Sequence, residues 1–402
     1  MLSMEKLSLY NKRFLQLDNY LTDLQGYWKF EAFHHSDYPW ANYNPALSAF
    51  LDALSAQELL NYQQSPERLY PLLSAFIKPL RSLQDSLFEI NQVDSIPVDV
   101  PFWLTTGIKG RKWSQISAFS EQINNDFPVL EWCAGKGHLG RLISWQKKLS
   151  VTSVEWQKKL CELGESEASK MKISQSFIQA DVLKGEADNC IHNNCHCVAL
   201  HACGDLHLHL IKLVKQHKPA QLTFSPCCYH LTQQTTYSPC SKQGKNSLLK
   251  IKKQILKLAV SKQATTGKRQ SQLSEKEVLW RLAFDELQKE LFTTDEYLPL
   301  PSFPKVLLSM TFKEFVIWAM EEKSLTFIVP EQLQHFLTLA QERLNRVRRM
   351  ELISQFFVRP LELWLIFDRA ISLQESGYSV TVSTFCEESV TPRNILIQAK
   401  LI

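Results

Sequence analysis

The spacing of apolar residues changes character twice along this chain of 402 residues. Up to about residue 95 the period is helical. In "NPALSAFLDALSAQELLNYQQ" (44–64) apolar side chains recur every three or four positions after Asn44-Pro45, a helix-start signal. "LYPLLSAFIKPLRSLQDSLFEI" (69–90) continues the pattern, with a break or kink expected at Pro79. "NQVDSIPVDVPFW" (91–103) holds two prolines and no helical period, and reads as a linker.

From residue 128 the pattern becomes one of short, fully apolar runs. "PVLEWCAG", "SVTSVEW", "SQSFIQAD", "HCVALHACG" and "QLTFSPCC" are rich in Val, Ile, Leu and Phe. Runs of this kind separated by crossovers predict buried parallel strands in an α/β domain. Two more strands are expected at 378–385 and 394–401, paired antiparallel across a short turn with Pro392. The predicted fold is therefore a Rossmann-like α/β sheet of five parallel strands plus a C-terminal antiparallel hairpin. A helical region precedes it, and a long basic and helical insertion separates strands five and six. The expected segments are 1–95 (helical), 96–127 (linker and basic lead-in), 128–230 (core), 231–355 (insertion) and 356–402 (return to the core).

Composition alters this picture little. Hydrophobic content of 45% and charged content of 21% are ordinary for a globular protein, and a formal net charge of +4 makes no global case for nucleic acid. The charged start "MLSMEKLSLYNKRF" and the lack of a bilayer-length apolar run predict a cytoplasmic protein without a membrane partner. Ten cysteines in so long a chain are expected to be reduced. Local charge is more telling. Residues 231–274 hold nine Lys or Arg and no Asp or Glu. Such a block is either a solvated loop or a surface that tracks phosphates.

The chemistry concentrates at the strand ends. "EWCAGKGHLG" gives Gly135, Gly137 and Gly140 in a G-x-G-x-x-G after the first strand, where glycines let the backbone approach a ligand. Glu155 ends the second strand, placed to accept ribose hydroxyls. Glu131 lies before the glycines, where it would repel a pyrophosphate and welcome the ammonium and sulfonium of S-adenosylmethionine. Asp181 ends the third strand within reach of an adenine amino group, although a helix N-cap or surface charge is the plainer use. With Ala134 and Val182 beside them, these residues predict a cofactor site for S-adenosylmethionine, the class I methyltransferase pattern.

Strand four ends in His201-Ala-Cys203-Gly-Asp205 and strand five in Pro226-Cys227-Cys228-Tyr229-His230. Ligands in this fold sit beyond the carboxyl ends of the strands, so both motifs should face the acceptor. Three uses compete. A metal is disfavoured because adjacent cysteines point in different directions and Cys190-x4-Cys195-x-Cys197 is irregular for zinc. A cysteine nucleophile at Cys203 or Cys227 would suit attack on a cytosine ring. A substrate pocket is favoured, with Tyr229 walling a planar acceptor, His230 or Asp205 taking a proton, and Cys227, Cys228 and His201 lining it. The residues expected to contact RNA are Lys112 in the lead-in and Lys250, Lys252, Lys253 and Lys257 in the insertion.

"EWCAGKGHLGRL", "VALHACGDL", "SPCCYH" and "FDRAISLQESG…TPRNILI" together resemble a family of methyltransferase-domain proteins. The family includes a eukaryotic tRNA 2'-O-methyltransferase and the methyltransferase-like 25 group. "GIKGRKWSQI" (107–116) is similar to its basic lead-in. The resemblance covers about 100–230 and 360–402, and lacks a Cys/His zinc-finger module like the tRNA enzyme's. It implies S-adenosylmethionine-dependent methyl transfer, and together with the acid-free basic segment 231–274 it makes RNA the expected acceptor. The alternatives are a protein or small-molecule methyltransferase, or a non-catalytic protein that binds the cofactor or RNA.

Overall fold

Five apolar runs, each too short for a helix, fold as β1 (Val129–Trp132), β2 (Val151–Glu155), β3 (Gln175–Gln179), β4 (His196–Ala199) and β5 (Gln221–Phe224). In the computed structural model, residues 8–78, 80, 90–93, 99–261, 268–292, 297–301, 304, 308–326 and 329–402 are described. β6 (Tyr378–Thr384) and β7 (Ile395–Leu401) complete one seven-stranded sheet in the order β3-β2-β1-β4-β5-β7-β6. β1 to β5 are parallel, and β7 slots antiparallel between β5 and β6. The strand order reverses between β1 and β4, and the open crevice of a doubly wound sheet lies at such a reversal. This is the Rossmann-like sheet with an antiparallel C-terminal pair that the strand pattern predicts.

The chain divides into two compact units. The first comprises 1–23, 83–264 and 357–402, and the second 24–82 and 265–356. These divisions differ from the segment boundaries drawn from sequence, for a packing reason. Helix Val358–Gln374 is buried on nearly every face, as a helix that is apolar all round must be. Helix Leu9–Asp23 packs along it, with Phe14 stacked on Trp364 at 5.2 Å and Asp18 accepting from Trp364 Nε1 at 2.8 Å. The first helix of the chain thus belongs with the sheet.

The basic segment that follows β5 also packs into the first unit. Tyr237, Leu249, Ile251, Leu256 and Ala259 are buried, and Ile255–Val260 forms a 3-10 helix. Asp368 anchors the segment by accepting from Tyr237 Oη (2.6 Å), Cys240 N–H (2.7 Å) and Ser241 N–H (3.0 Å). The solvated-loop expectation therefore fails over 231–261. The lysines face outward while alternate apolar residues are drawn into the core. Residues 262–267 lie outside the described residues.

The second unit is helical. Asn44 caps Pro45–Ala53 by accepting from Leu47 N–H at 3.2 Å. The run 44–64 is two helices rather than one, because Ser55 and Glu58 form a capping box that starts Ala56–Gln64. Helices Lys268–Phe292, Phe312–Glu322 and Gln334–Ser354 share a core that includes Trp280, Phe284, Phe315 and Leu344. Buried Arg343 ties Asp285, Glu286 and the Phe33 carbonyl together. Pro79 and residues 94–98 of the predicted linker lie outside the described residues.

Candidate active site

β1 delivers the chain into the loop Cys133–Gly137, and helix His138–Lys147 leaves it. Three consecutive turns of this loop require positive φ: Cys133 at +58°, Gly135 at +60° and Gly137 at +65°. The glycines have separate duties. A Cβ on Gly135 would meet nothing within 4 Å, so this is where the backbone lies open to a ligand. A Cβ on Gly137 would meet Gln175 Nε2 and Phe177 Cζ, each at 2.4 Å. Of the glycines expected to let the backbone approach a ligand, Gly137 instead lets the loop press on β3. Gly140 lets the helix press on Glu131, whose Oε2 lies 2.4 Å from the Cβ position.

Glu131 is 3% exposed. Burial pushes its carboxyl up to about 7, against the opposing pull of the Ser153 hydroxyl, the Gly140 N–H, Arg141 and Lys112. Ser153 Oγ donates to it at 2.7 Å, and Gln175 Nε2 donates to Ser153 Oγ at 2.9 Å and to the Gly137 carbonyl at 3.0 Å. One polar chain thus runs from β3 to the glycine loop. Glu155 accepts from Gly135 N–H and Gln157 N–H, both at 2.9 Å, which fixes its carboxylate at the loop. A cleft opens between Lys112, Glu131, Cys133, Ala134, His138 and His201. Burial, then Arg141 and Lys112, press His138 down to about 4, so the ring is neutral. His201 is also held below its usual value, first by burial and then by Lys112.

The chemistry of this donor set fits S-adenosylmethionine. The open backbone at Gly135 admits a ligand, Glu131 and Glu155 supply anions for an ammonium and for ribose hydroxyls, and Ala134 lines the cleft. When bound, that cofactor presents an electrophilic methyl group on a sulfonium. Asp181 is otherwise engaged: it accepts from Leu183 N–H at 3.1 Å and pairs with Lys184 at 3.3 Å, the N-cap use. Val182 is buried in the turn that this cap begins.

The loops after β4 and β5 are clasped together. Gly204, at φ +57°, sits where a Cβ would fall 1.9 Å from the Leu231 carbonyl. Its N–H donates to the Cys227 carbonyl at 3.2 Å, and Asp205 N–H donates to Leu231 at 3.0 Å. Asp205 begins helix Asp205–His217 and accepts from Gln233 N–H at 2.8 Å, so its carboxylate serves the clasp. Tyr229 does not wall a pocket. It is 3% exposed, with the Arg369 guanidinium 4.9 Å from its ring centre. Cys203, Cys227 and Cys228 converge, contrary to the expectation that adjacent cysteines diverge. His230 is half-buried and held below its usual value, chiefly by burial and also by Lys257, Lys253 and Arg393, while Cys228 opposes. Lys253 and Lys257 thus border the motif. Lys252 is exposed, and Lys250 donates to the Ser247 carbonyl at 3.1 Å.

Sequence reading missed the residues beneath this surface. Arg369 donates to His207 Nε2 at 3.0 Å, Tyr237 Oη at 3.1 Å and the Leu365 carbonyl at 2.7 Å. His207 in turn bonds the Ala202 carbonyl at 3.0 Å, so one guanidinium braces both loops. The signal was an Asp-Arg pair inside an apolar helix, where buried charge needs partners. A further hollow in the second unit, beside Leu59 and Gln63, holds Arg348 and Arg349. Arg348 pairs with Glu275 and Arg349 donates to the Leu54 carbonyl, so both cations are committed.

Among curated proteins none matches the chain. Solved structures do. A tRNA (uracil-54, C5)-methyltransferase of Pyrococcus abyssi, in complex with S-adenosyl-L-homocysteine, is 17% identical with a TM-score of 0.24, and the match covers 28% of each chain. An rRNA methylase of Streptococcus thermophilus is 12% identical over 30% of this chain and 72% of its own, with a TM-score of 0.24. A geranyl diphosphate methyltransferase, in complex with GPP and sinefungin, is 12% identical over 42% and 65%, with a TM-score of 0.26. The chain thus spans little more than a quarter of the first of these. Residues 111–235 match the family model of a methyltransferase domain, and the match runs from the lead-in helix through the glycine loop to the cysteine-rich motif after β5.

Proposed function

We propose that this chain is an S-adenosylmethionine-dependent methyltransferase whose acceptor is RNA. The glycine loop lies between two carboxylates, Glu131 and Glu155. A cationic cofactor suits that field. The acceptor side has the opposite sign. Lys112 borders the cleft, and Lys253 and Lys257 act on His230.

One observation carries the RNA reading. Segment 231–261 holds six lysines and no acid, and its apolar side chains and Asp368 hold it in place with five of those lysines exposed. A solvated loop needs no such anchoring; a surface for a polyanion does. The Glu131 carboxylate, the Glu155 carboxylate and the backbone at Gly135 hold the cofactor. The clasped loops after β4 and β5 exclude water and align the acceptor, the main work a protein does for an already activated methyl group.

The test is the salt dependence of binding to single-stranded RNA. Replacing Lys250, Lys252, Lys253 and Lys257 together with Gln is expected to shrink the slope of log affinity against log salt by about 3, at roughly 0.7 per phosphate contact. Affinity for S-adenosylhomocysteine stays unchanged. An unaltered slope at wild-type affinity would move the acceptor to a protein or a small molecule.

A further inference from the structure

The loops after β4 and β5 bring three thiols to one point. The Sγ atoms of Cys203, Cys227 and Cys228 all lie within 4.8 Å of one another, and those of Cys203 and Cys227 are 3.0 Å apart. Neighbours in an extended chain point to opposite sides, so Cys227 and Cys228 could not both reach Cys203 from a regular strand. Cys228 escapes that rule by adopting φ +48°. A side chain in the left-handed region is strained, and such strain persists only where its surroundings impose it. Here they do: Leu231 N–H donates to the Cys228 carbonyl at 2.8 Å, and the clasp from Gly204 holds the Cys227 carbonyl.

We propose that Cys203, Cys227 and Cys228 form a trithiolate site for zinc that ties the two acceptor loops together. Zinc binds thiolates at about 2.3 Å in a tetrahedron, which sets sulfur–sulfur edges of about 3.8 Å. The Cys203–Cys227 pair at 3.0 Å is tighter than that edge, and all three sulfurs lie within 4.8 Å of one another, so small side-chain rotations reach it. An all-sulfur set selects a soft or borderline ion and rejects magnesium and calcium. Cys203 and Cys228 are part-exposed, so a fourth ligand has a route in from solvent. His230 Nδ1, two residues beyond Cys228, is buried without a hydrogen-bond partner, an orphan that metal ligation or a metal-bound water would satisfy. Sequence spacing set metal aside partly because adjacent cysteines diverge, and the Cys228 backbone removes that objection; the irregular Cys190, Cys195 and Cys197 spacing does not bear on this trio. The proposal is independent of the acceptor assigned above.

The experiment uses the full chain, reduced, freed of metal and titrated with cobalt(II). The expected result is one cobalt per chain with a thiolate charge-transfer band that zinc abolishes. Cys203→Ser and Cys228→Ser should each weaken cobalt binding by about 100-fold or more, since even outer-shell changes cost about 10–100-fold. Should either variant fail to fold, alkylation of the wild-type chain decides the matter: zinc should protect Cys203, Cys227 and Cys228 from iodoacetamide, read by mass spectrometry. A missing charge-transfer band, a band that survives in Cys228→Ser, or equal alkylation with and without zinc would each overturn the proposal.

Discussion

Glu131→Gln is the sharpest probe of the cofactor site, because burial gives this carboxyl a titration that the variant cannot have. The folded value is about 7 against an ordinary 4.5, and desolvation is the largest cause. A raised carboxyl value means the folded state holds its proton more tightly than the unfolded chain. The stabilisation is complete below the unfolded value and is lost as pH rises through about 7. A shift from 4.5 to about 7 corresponds to about 3 kcal/mol at 1.36 kcal/mol per unit. A ligand ammonium beside Glu131 requires the ionised form. About a tenth of the protein is ionised near pH 6 and about nine-tenths near pH 8, so affinity for S-adenosylhomocysteine should rise about tenfold across that span. Calorimetry at several pH values, in buffers of different ionisation enthalpy, reads both the affinity and the proton released. Glu131→Gln should flatten the profile and release no proton. The same tenfold rise in the variant, or a fall in affinity with pH in the wild type, would refute a cationic ligand at this carboxylate.

The other predictions concern how the site is held. Gly137→Ala combines left-handed strain with overpacking against Gln175 and Phe177 and should cost about 3 kcal/mol in denaturant unfolding. Gly135→Ala, with open space at its Cβ, should cost only about 1–2 kcal/mol of strain, so equal losses in the two variants would count against the separate roles given to these glycines. Asp368→Ala strips the anchor from Tyr237, Cys240 and Ser241 and should destabilise by about 3–5 kcal/mol while opening segment 231–261 to limited proteolysis. Unchanged protease resistance there would show that apolar packing alone holds the segment.

Much of the sheet was legible because a parallel strand buried on both faces leaves a simple record, a short apolar run with a glycine or an acid at its end. "VLEW" before the glycine loop and "SVE" are such runs, and the terminal pair showed through its spacing. Glu131 and Glu155 stood out because a carboxylate beside a glycine loop has few structural uses. What stayed hidden depended on three-dimensional neighbours. No spacing rule says that Cys228 adopts a positive φ, so the convergence of three thiols was invisible. Tyr229 read as an acceptor wall because its cover, Arg369, lies 140 residues away on a helix whose partners the sequence does not name. The lysine-rich segment looked like solvated chain because its apolar residues follow neither a helical nor a strand period. Their contacts are set by Asp368 and the buried helix instead.

The account's central claim is tested most directly by following a labelled methyl group. S-adenosylmethionine carrying a labelled methyl is incubated with the purified chain and with total RNA, protein and small-molecule fractions from cells lacking this protein. The account predicts label in RNA nucleosides, dependent on the chain and reduced by the fourfold lysine-to-glutamine replacement. Label that enters only protein or small molecules, or none that enters any fraction despite cofactor binding, would contradict it.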